Sequence, residues 1–272
     1  MTSNPPWNPL RALQDSDPRT RPFHDLLARV PDLPGRPARI ADLGCGTGSV
    51  TALLAARWPH AHVTGIDTCA ESLAAAEEFA GETAGGGRLE FRHGDIAEWA
   101  PDEPFDLVIS SAAIQWVADH PYRFETWTRT LPVGGVFAFQ VPDNAAAASH
   151  AALRELCASP RWRDRLGPGI PPSPKVWAPT EYLDHLGCLG FTVDAWESTY
   201  AHLLPAADPF AGWVGGTGMR PVVDALADEP GAAQEFFADY LDRLRAVYPA
   251  ASYGTVFPFR RIFAVARRER TA

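Results

Sequence analysis

Lysine is almost missing from this chain. Of its 24 Lys and Arg residues only Lys175 is a lysine, and the formal charge over 272 residues is −9. No basic run is long enough to track a phosphate backbone, so nucleic acid is excluded as an expected partner. Arginine in place of lysine is the mark of a GC-rich genome, so residue type alone makes no arginine functional. Cysteine is scarce too. Cys45, Cys69, Cys157 and Cys188 are scattered without CxxC spacing, which excludes a disulfide framework or a zinc site and suits a reducing cytosol. No His/Cys/Asp cluster has metal-ligand spacing, so no metal is expected. No apolar run is long enough to span a bilayer, and Met1–Phe23 lacks the apolar stretch of a secretory signal. The expectation is a cytoplasmic protein with no membrane partner, free of internal repeats.

What the chain does have is alternation. Apolar runs suited to buried strands lie at Arg39–Leu43, His62–Ile66, Leu89–Arg92, Leu107–Ser111 and Val136–Gln140. Helical patterns such as Val50–Trp58 and Ala70–Ala80 lie between them. "GETAGGG" (Gly81–Gly87) ends the second helix, and "LPVGG" (Leu131–Gly135) turns into the fifth strand. Strands alternating with helices imply a doubly wound parallel sheet. Beyond Val141 the pattern changes. Pro142–Pro179 is too long for a plain connection and reads as an insertion. Strand character returns at Phe191–Leu203 and Ile262–Ala266, around a second insertion with a helix over Ala232–Val247. Its stripe of Phe236, Phe237, Tyr240, Leu241 and Leu244 reads as core packing. The expected architecture is α/β: a doubly wound, seven-stranded, mostly parallel sheet, its last strand antiparallel, with helical cap insertions. One domain is expected over 1–272, with an N-terminal lid segment at 1–30, a cofactor-binding core at 36–142, and caps at 143–190 and 205–255.

The loop "DLGCGTG" (Asp42–Gly48) follows the first strand. A dinucleotide fingerprint spaces its glycines G-x-G-x-x-G and aims a helix N-terminus at a pyrophosphate. Here Gly44, Gly46 and Gly48 are spaced G-x-G-x-G, behind Asp42. A carboxylate at that point repels a pyrophosphate and suits a ligand with a positive end, such as the ammonium and sulfonium groups of S-adenosylmethionine. Asp67 ends the second strand, where its two acceptor oxygens match a ribose cis-diol. Asp95 in "HGDI" is placed to accept from an adenine amino group, with Ile96 against the ring. The fourth strand ends in "SSAAIQW" (Ser110–Trp116), which puts Ser111, Gln115 and Trp116 by the methyl-transfer point. Each element has a plain structural alternative: a tight turn, a helix N-cap, a turn residue, a buried tryptophan. Taken in order at the ends of successive strands, they point to a methyl-donor site.

These elements resemble the class I S-adenosylmethionine-dependent methyltransferases, a Rossmann-like fold. Outside the cofactor half, "WNP" (Trp7–Pro9), "RTRPF" (Arg19–Phe23), "IQWVADH" (Ile114–His120), "QVPDN" (Gln140–Asn144), "WVGGTGMRP" (Trp213–Pro221) and "YP" (Tyr248–Pro249) resemble the trans-aconitate methyltransferase family. Ala12, Asp15 and Gly215 depart from it, where the family carries a tyrosine, an apolar residue and a lysine. The resemblance implies methyl transfer to a carboxylate oxygen of a small anionic acceptor, trans-aconitate or a related polycarboxylic acid. A carboxylate is already anionic at neutral pH and needs no general base. It needs a grip, and Arg220 in "TGMRP" is the first candidate, because a guanidinium fork binds a carboxylate bidentately. Arg21, Arg261 and Tyr248 are further acceptor-binding candidates, against the alternatives of salt bridges and a helix cap. His24, His120 and His150 matter as bases only for a phenol or alcohol acceptor. The rival readings are a methyltransferase acting on O, N or C of a natural-product intermediate, an NAD-dependent oxidoreductase, and a non-catalytic protein that retains the cofactor.

Overall fold

The computed structural model describes residues 20–167, 175–204, 210 and 220–269, without the side chains of Arg220 and Pro221. Trp7–Pro9, Ala12, Asp15, Arg19 and residues 213–219 of the sequence analysis lie outside that set. Helix α1 (Arg21–Arg29) comes first, followed by β1 (Arg39–Leu43), α2 (Ser49–Arg57), β2 (His62–Asp67), α3 (Ala70–Ala76), β3 (Gly81–Glu82) and β4 (Arg88–His93). Then come β5 (Leu107–Ser111), α4 (Phe124–Thr128), β6 (Val136–Pro142), α5 (Ala148–Cys157), α6 (Arg163–Leu166), α7 (Pro179–Cys188) and β7 (Phe191–Leu204). Helices α8 (Arg220–Ala225) and α9 (Ala232–Val247) precede β8 (Thr255–Arg268).

The strands form one sheet in the order β3-β4-β2-β1-β5-β6-β8-β7. Neighbours from β4 through β6 run parallel, while β3 is antiparallel to β4 and β8 to β6. The sheet therefore has eight strands, not seven. The additional strand is the two-residue β3, inside the "GETAGGG" stretch expected to be a plain loop. Thr83 and Gly87 close it into a hairpin through Thr83 N–H to Gly87 O at 3.0 Å, which aligns Glu82 with Arg88. The expected helix Ala70–Ala80 is also cut short: it tightens into a 3-10 turn at Glu77–Phe79, and Ala80 is extended.

Contacts divide the chain into two units. The first holds 1–142, 175–198 and 261–272; the second holds 143–174 and 199–260. In the first unit, β1, β5 and β6 are buried almost end to end. That burial on both faces is why they read as continuous apolar runs rather than alternating ones. One layer of its core gathers Phe124, Trp127, Phe137, Phe139 and Tyr182, all fully buried. In the second unit, Trp162 meets Phe236 edge-on at 5.1 Å, and its indole N–H donates to Asp239 at 2.8 Å. Phe236, Tyr240 and Leu244 of the α9 stripe are buried there.

Candidate functional site

The glycine loop sits between β1 and α2 and takes left-handed backbone three times, with φ of 78° at Gly44, 54° at Gly46 and 77° at Gly48. Only glycine adopts these angles without strain. Two of the three are also closed in by neighbours. A Cβ on Gly44 would lie 2.1 Å from the Cβ of Ala113, and one on Gly48 would lie 2.7 Å from the ring of Phe91. Gly46 has nothing within 4 Å of that position, so the middle of the loop borders open space. The N–H groups of Gly44 and Cys45 both donate to Ile66 O, at 2.8 and 3.1 Å, pinning the loop to the end of β2. Gly44→Ala is therefore expected to cost about 2 kcal/mol of stability, because neither the Ala113 backbone nor the loop has slack to yield. Urea unfolding monitored by circular dichroism checks this, and a midpoint equal to that of the parent chain would count against it.

Acids stand at the ends of three adjacent strands. Asp42, at the end of β1, is fully buried. Its Oδ2 accepts from Thr51 Oγ at 2.7 Å, while its Oδ1 is buried with no hydrogen-bond partner. Burial, partly offset by the Thr51 hydrogen bond and reinforced by the nearby Asp67, raises its pKa to about 7. Asp67, at the end of β2, accepts from Gly46 N–H through Oδ2 and from Cys69 N–H through Oδ1, both at 2.8 Å. It thus ties the glycine loop to the start of α3. Asp95 follows β4, is exposed, and holds its own turn through Ala97 N–H to Oδ1 at 2.8 Å. Ile96 beside it is buried, and its carbonyl accepts from the indole of Trp127 at 2.9 Å.

The turn after β5 is the fourth side of this end of the sheet. Ala112 is held at φ 57°, a costly conformation for a residue with a Cβ and one that clusters at functional sites. Its carbonyl accepts from Gln115 Nε2 at 2.7 Å, while Gln115 Oε1 is buried without a partner. Trp116 points outward, 55% exposed. Ser111 Oγ accepts from Gln140 Nε2 at 2.8 Å, and Gln140 Oε1 accepts from Arg261 at 2.7 Å.

The sheet thus gathers Asp42, Gly44, Gly46, Gly48, Asp67, Asp95, Ile96, Ser111 and Gln115 at the carboxyl ends of β1, β2, β4 and β5. Open α/β sheets bind their ligands at that end. Arg21 lies exposed at the start of α1, and Arg261 is on β8. Arg220 opens α8 in the second unit, where Tyr248 also lies. The Tyr248 hydroxyl accepts from Ser149 N–H at 3.2 Å, docking the end of α9 on the start of α5. Of the histidines, His120 is buried beside Phe124 and 2.6 Å from the hydroxyl of Tyr182. Burial pushes its pKa down to about 4, so it is a neutral core imidazole. His150 is also shifted down by burial, with a lesser contribution from Arg154. Among the described residues, no cluster of His, Cys, Asp and Glu is grouped to hold a metal, and no helix is long and apolar enough to cross a membrane. Sequence reasoning gave no role to Thr51 or to Gln140 of "QVPDN", the side chains that meet Asp42 and Arg261. Both are common polar residues buried inside apolar elements, and that incongruity is the signal that could have found their role.

The doubly wound sheet, with its tight glycine loop and acids ending successive strands, has the architecture of the class I methyltransferases. Residues 40–135 match the family described as a methyltransferase domain. The trans-aconitate 2-methyltransferase of Streptomyces avermitilis is 52% identical over 97% of this chain and 98% of its own length. Among solved structures, YcgJ of Bacillus subtilis shares the fold with a TM-score of 0.57 at 17% identity, covering 92% of this chain and 100% of that one. A SAM-dependent methyltransferase of Geobacter sulfurreducens, in complex with S-adenosyl-L-homocysteine, shares it with a TM-score of 0.51 at 20% identity, covering 93% of this chain and 92% of that one. The chain belongs to the S-adenosylmethionine-dependent methyltransferases, in the same family as the Streptomyces enzyme. It is an enzyme whose cofactor is S-adenosylmethionine, and the nicotinamide reading falls away.

Proposed function

We propose that this enzyme methylates a carboxylate oxygen of trans-aconitate, a small anionic acceptor. The observation that carries the reading is 52% identity, over 97% of the chain, to a protein of that activity. The residues present fit the donor. Asp42 Oδ1 and Gln115 Oε1 are buried acceptors awaiting a proton donor, as the ammonium end of the donor is. The space beside Gly46 leaves room for a ligand against the loop.

S-adenosylmethionine supplies a methyl group on a sulfonium, a leaving group that departs as a neutral thioether. The work left to this chain is to bind, align and exclude water. In this reading Asp67 accepts from the ribose hydroxyls, Asp95 from the adenine amino group, and Ile96 packs on the base. Gly44, Gly46 and Gly48 shape the loop around the methionine part, with Ser111, Gln115 and Trp116 bordering the transfer point. In the first unit Arg21 and Arg261, and in the second Arg220 and Tyr248, are each proposed as acceptor-binding residues. With the donor bound, the acceptor carboxylate would attack the methyl carbon directly, the thioether leaving as the C–O bond forms, and no residue of this chain would need to move a proton. That chemistry matches the buried, neutral His120, which holds Tyr182 and serves no base.

The test is transfer of labelled methyl to trans-aconitate, cis-aconitate, citrate and isocitrate. The expected result is a base-labile ester formed from trans-aconitate with a specificity constant about tenfold or more above the others. Tight donor binding with no labelled acid overturns the acceptor assignment.

A further inference from the structure

The sequence string "QVPDN" meets two adjacent arginines of β8. In the second unit, Asp143 takes Arg260 in an ion pair at 2.6 Å, and Asn144 Oδ1 accepts from its backbone N–H at 2.9 Å. In the first unit, Gln140 takes Arg261 with a neutral amide, Oε1 to Nη1 at 2.7 Å. The other end of the same amide donates to Ser111 Oγ at 2.8 Å. Gln140 is 2% exposed in the strand "VFAFQVP", whose other side chains are all apolar. A buried amide in such a strand is a cost unless both its ends are paired. Here both are, but only with the side chains of two flanking strands. Apolar residues at all three places would satisfy the sheet equally well, so the trio is not explained by the fold. It lies at the carboxyl end of β5 and β6, where Ser111 faces Gln140 in register.

We propose that Gln140 is a positioning residue for acceptor recognition: it holds the Arg261 guanidinium in place for an acceptor carboxylate while contributing no negative charge of its own. This deepens the reading above and rests on its anionic acceptor. Ser111 sets which way the amide faces. By accepting from Nε2 it turns Oε1 towards Arg261; the flipped amide would set N–H against N–H. A carboxylate at position 140 would hold the guanidinium as firmly but would compete with the substrate for it.

The discriminating variant is Gln140→Glu, which keeps size and the acceptor for Arg261, adds a negative charge, and puts an oxygen in place of Nε2 to which the Ser111 hydroxyl can donate. Steady-state kinetics with trans-aconitate should show KM raised about tenfold or more, the size of one charge-assisted hydrogen bond, with the effect on kcat much smaller. The dissociation constant of S-adenosylhomocysteine, measured by calorimetry on the same protein, should stay within about twofold. Ser111→Ala should move KM in the same direction by less. An unchanged KM in Gln140→Glu overturns the inference and leaves the acceptor reading standing. So does a parallel loss of donor affinity, which would mark a merely structural amide. A parent enzyme that methylates no tricarboxylate overturns the acceptor reading, and the inference with it.

Discussion

Asp67→Ala is expected to weaken donor binding by about three orders of magnitude while leaving the chain folded. The side chain has two jobs that fail together. Its oxygens each accept one backbone N–H, from Gly46 and from Cys69, at 2.8 Å, so the carboxyl group is the strut between the glycine loop and the start of α3. In the proposed site it also accepts from the donor ribose. Hydrogen bonds of this kind to a charged acceptor are worth about 1.5–3 kcal/mol each, and losing two gives about 4 kcal/mol, or roughly a thousandfold in affinity. Asp67→Asn should fall between parent and Ala. One amide oxygen still takes a backbone N–H, while the NH2 group faces the other as a second donor. Calorimetric titration with S-adenosylhomocysteine measures the change, with circular dichroism to establish that the variants are folded. Binding of the Ala variant within about threefold of the parent would sink the assignment of Asp67 to the ribose.

The parts legible in the sequence were those whose cause is local. Strands β1 and β5 were placed to the residue, because burial on both faces makes them unbroken apolar runs. The glycine spacing was legible for a similar reason, since each of the three carries a φ that other residues avoid. The acids ending β1, β2 and β4 followed once the strands were placed. What stayed hidden depends on partners far along the chain. The two-residue β3 exists only because Leu89 and Arg88 offer it an edge, and nothing in "GETAGGG" announces a ladder. Strand β8 was read as Ile262–Ala266 because arginines interrupt its apolar pattern, yet it runs from Thr255 to Arg268. The reason is visible at Arg261, which lies opposite Pro142 in register and whose head group is met by Gln140, 121 residues earlier. His120 and Tyr182 are 62 residues apart, and only their meeting at 2.6 Å turns a candidate base into a core residue. Ala112 is the sharpest omission. A positive φ at alanine leaves no trace in composition, and it is imposed by its surroundings: its N–H is taken by Gln140 O and its carbonyl by the Gln115 side chain.

Donor affinity is expected to rise with pH up to about 7 and then level, with Asp42 as the cause. Burial is the main reason its pKa stands near 7 instead of 3.8; the Thr51 hydrogen bond pulls it down and the Asp67 charge pushes it up. Between those two values the unfolded chain has released this proton and the folded, donor-free chain still holds it. The folded state therefore binds more protons, and Asp42 makes stability fall as pH rises from about 4 to about 7, by up to about 4 kcal/mol, with no further loss above. A cation at the glycine loop reverses the preference, because it favours the ionised carboxyl group. Below pH 7 the donor must expel a proton to gain that charge, so affinity should climb by nearly tenfold per pH unit where Asp42 is fully protonated. Calorimetry in buffers of different ionisation enthalpy, from about pH 5.5 to 8, should register release of close to one proton per donor at the acid end. Asp42→Asn keeps an oxygen for Thr51 and loses the titrating charge, so its affinity should be lower at pH 8 and flat across the range. A flat profile in the parent chain would mean that the carboxyl group stays ionised without the donor. Its burial argues against that, since Oδ1 has no proton donor among the described residues and burial disfavours the ionised form.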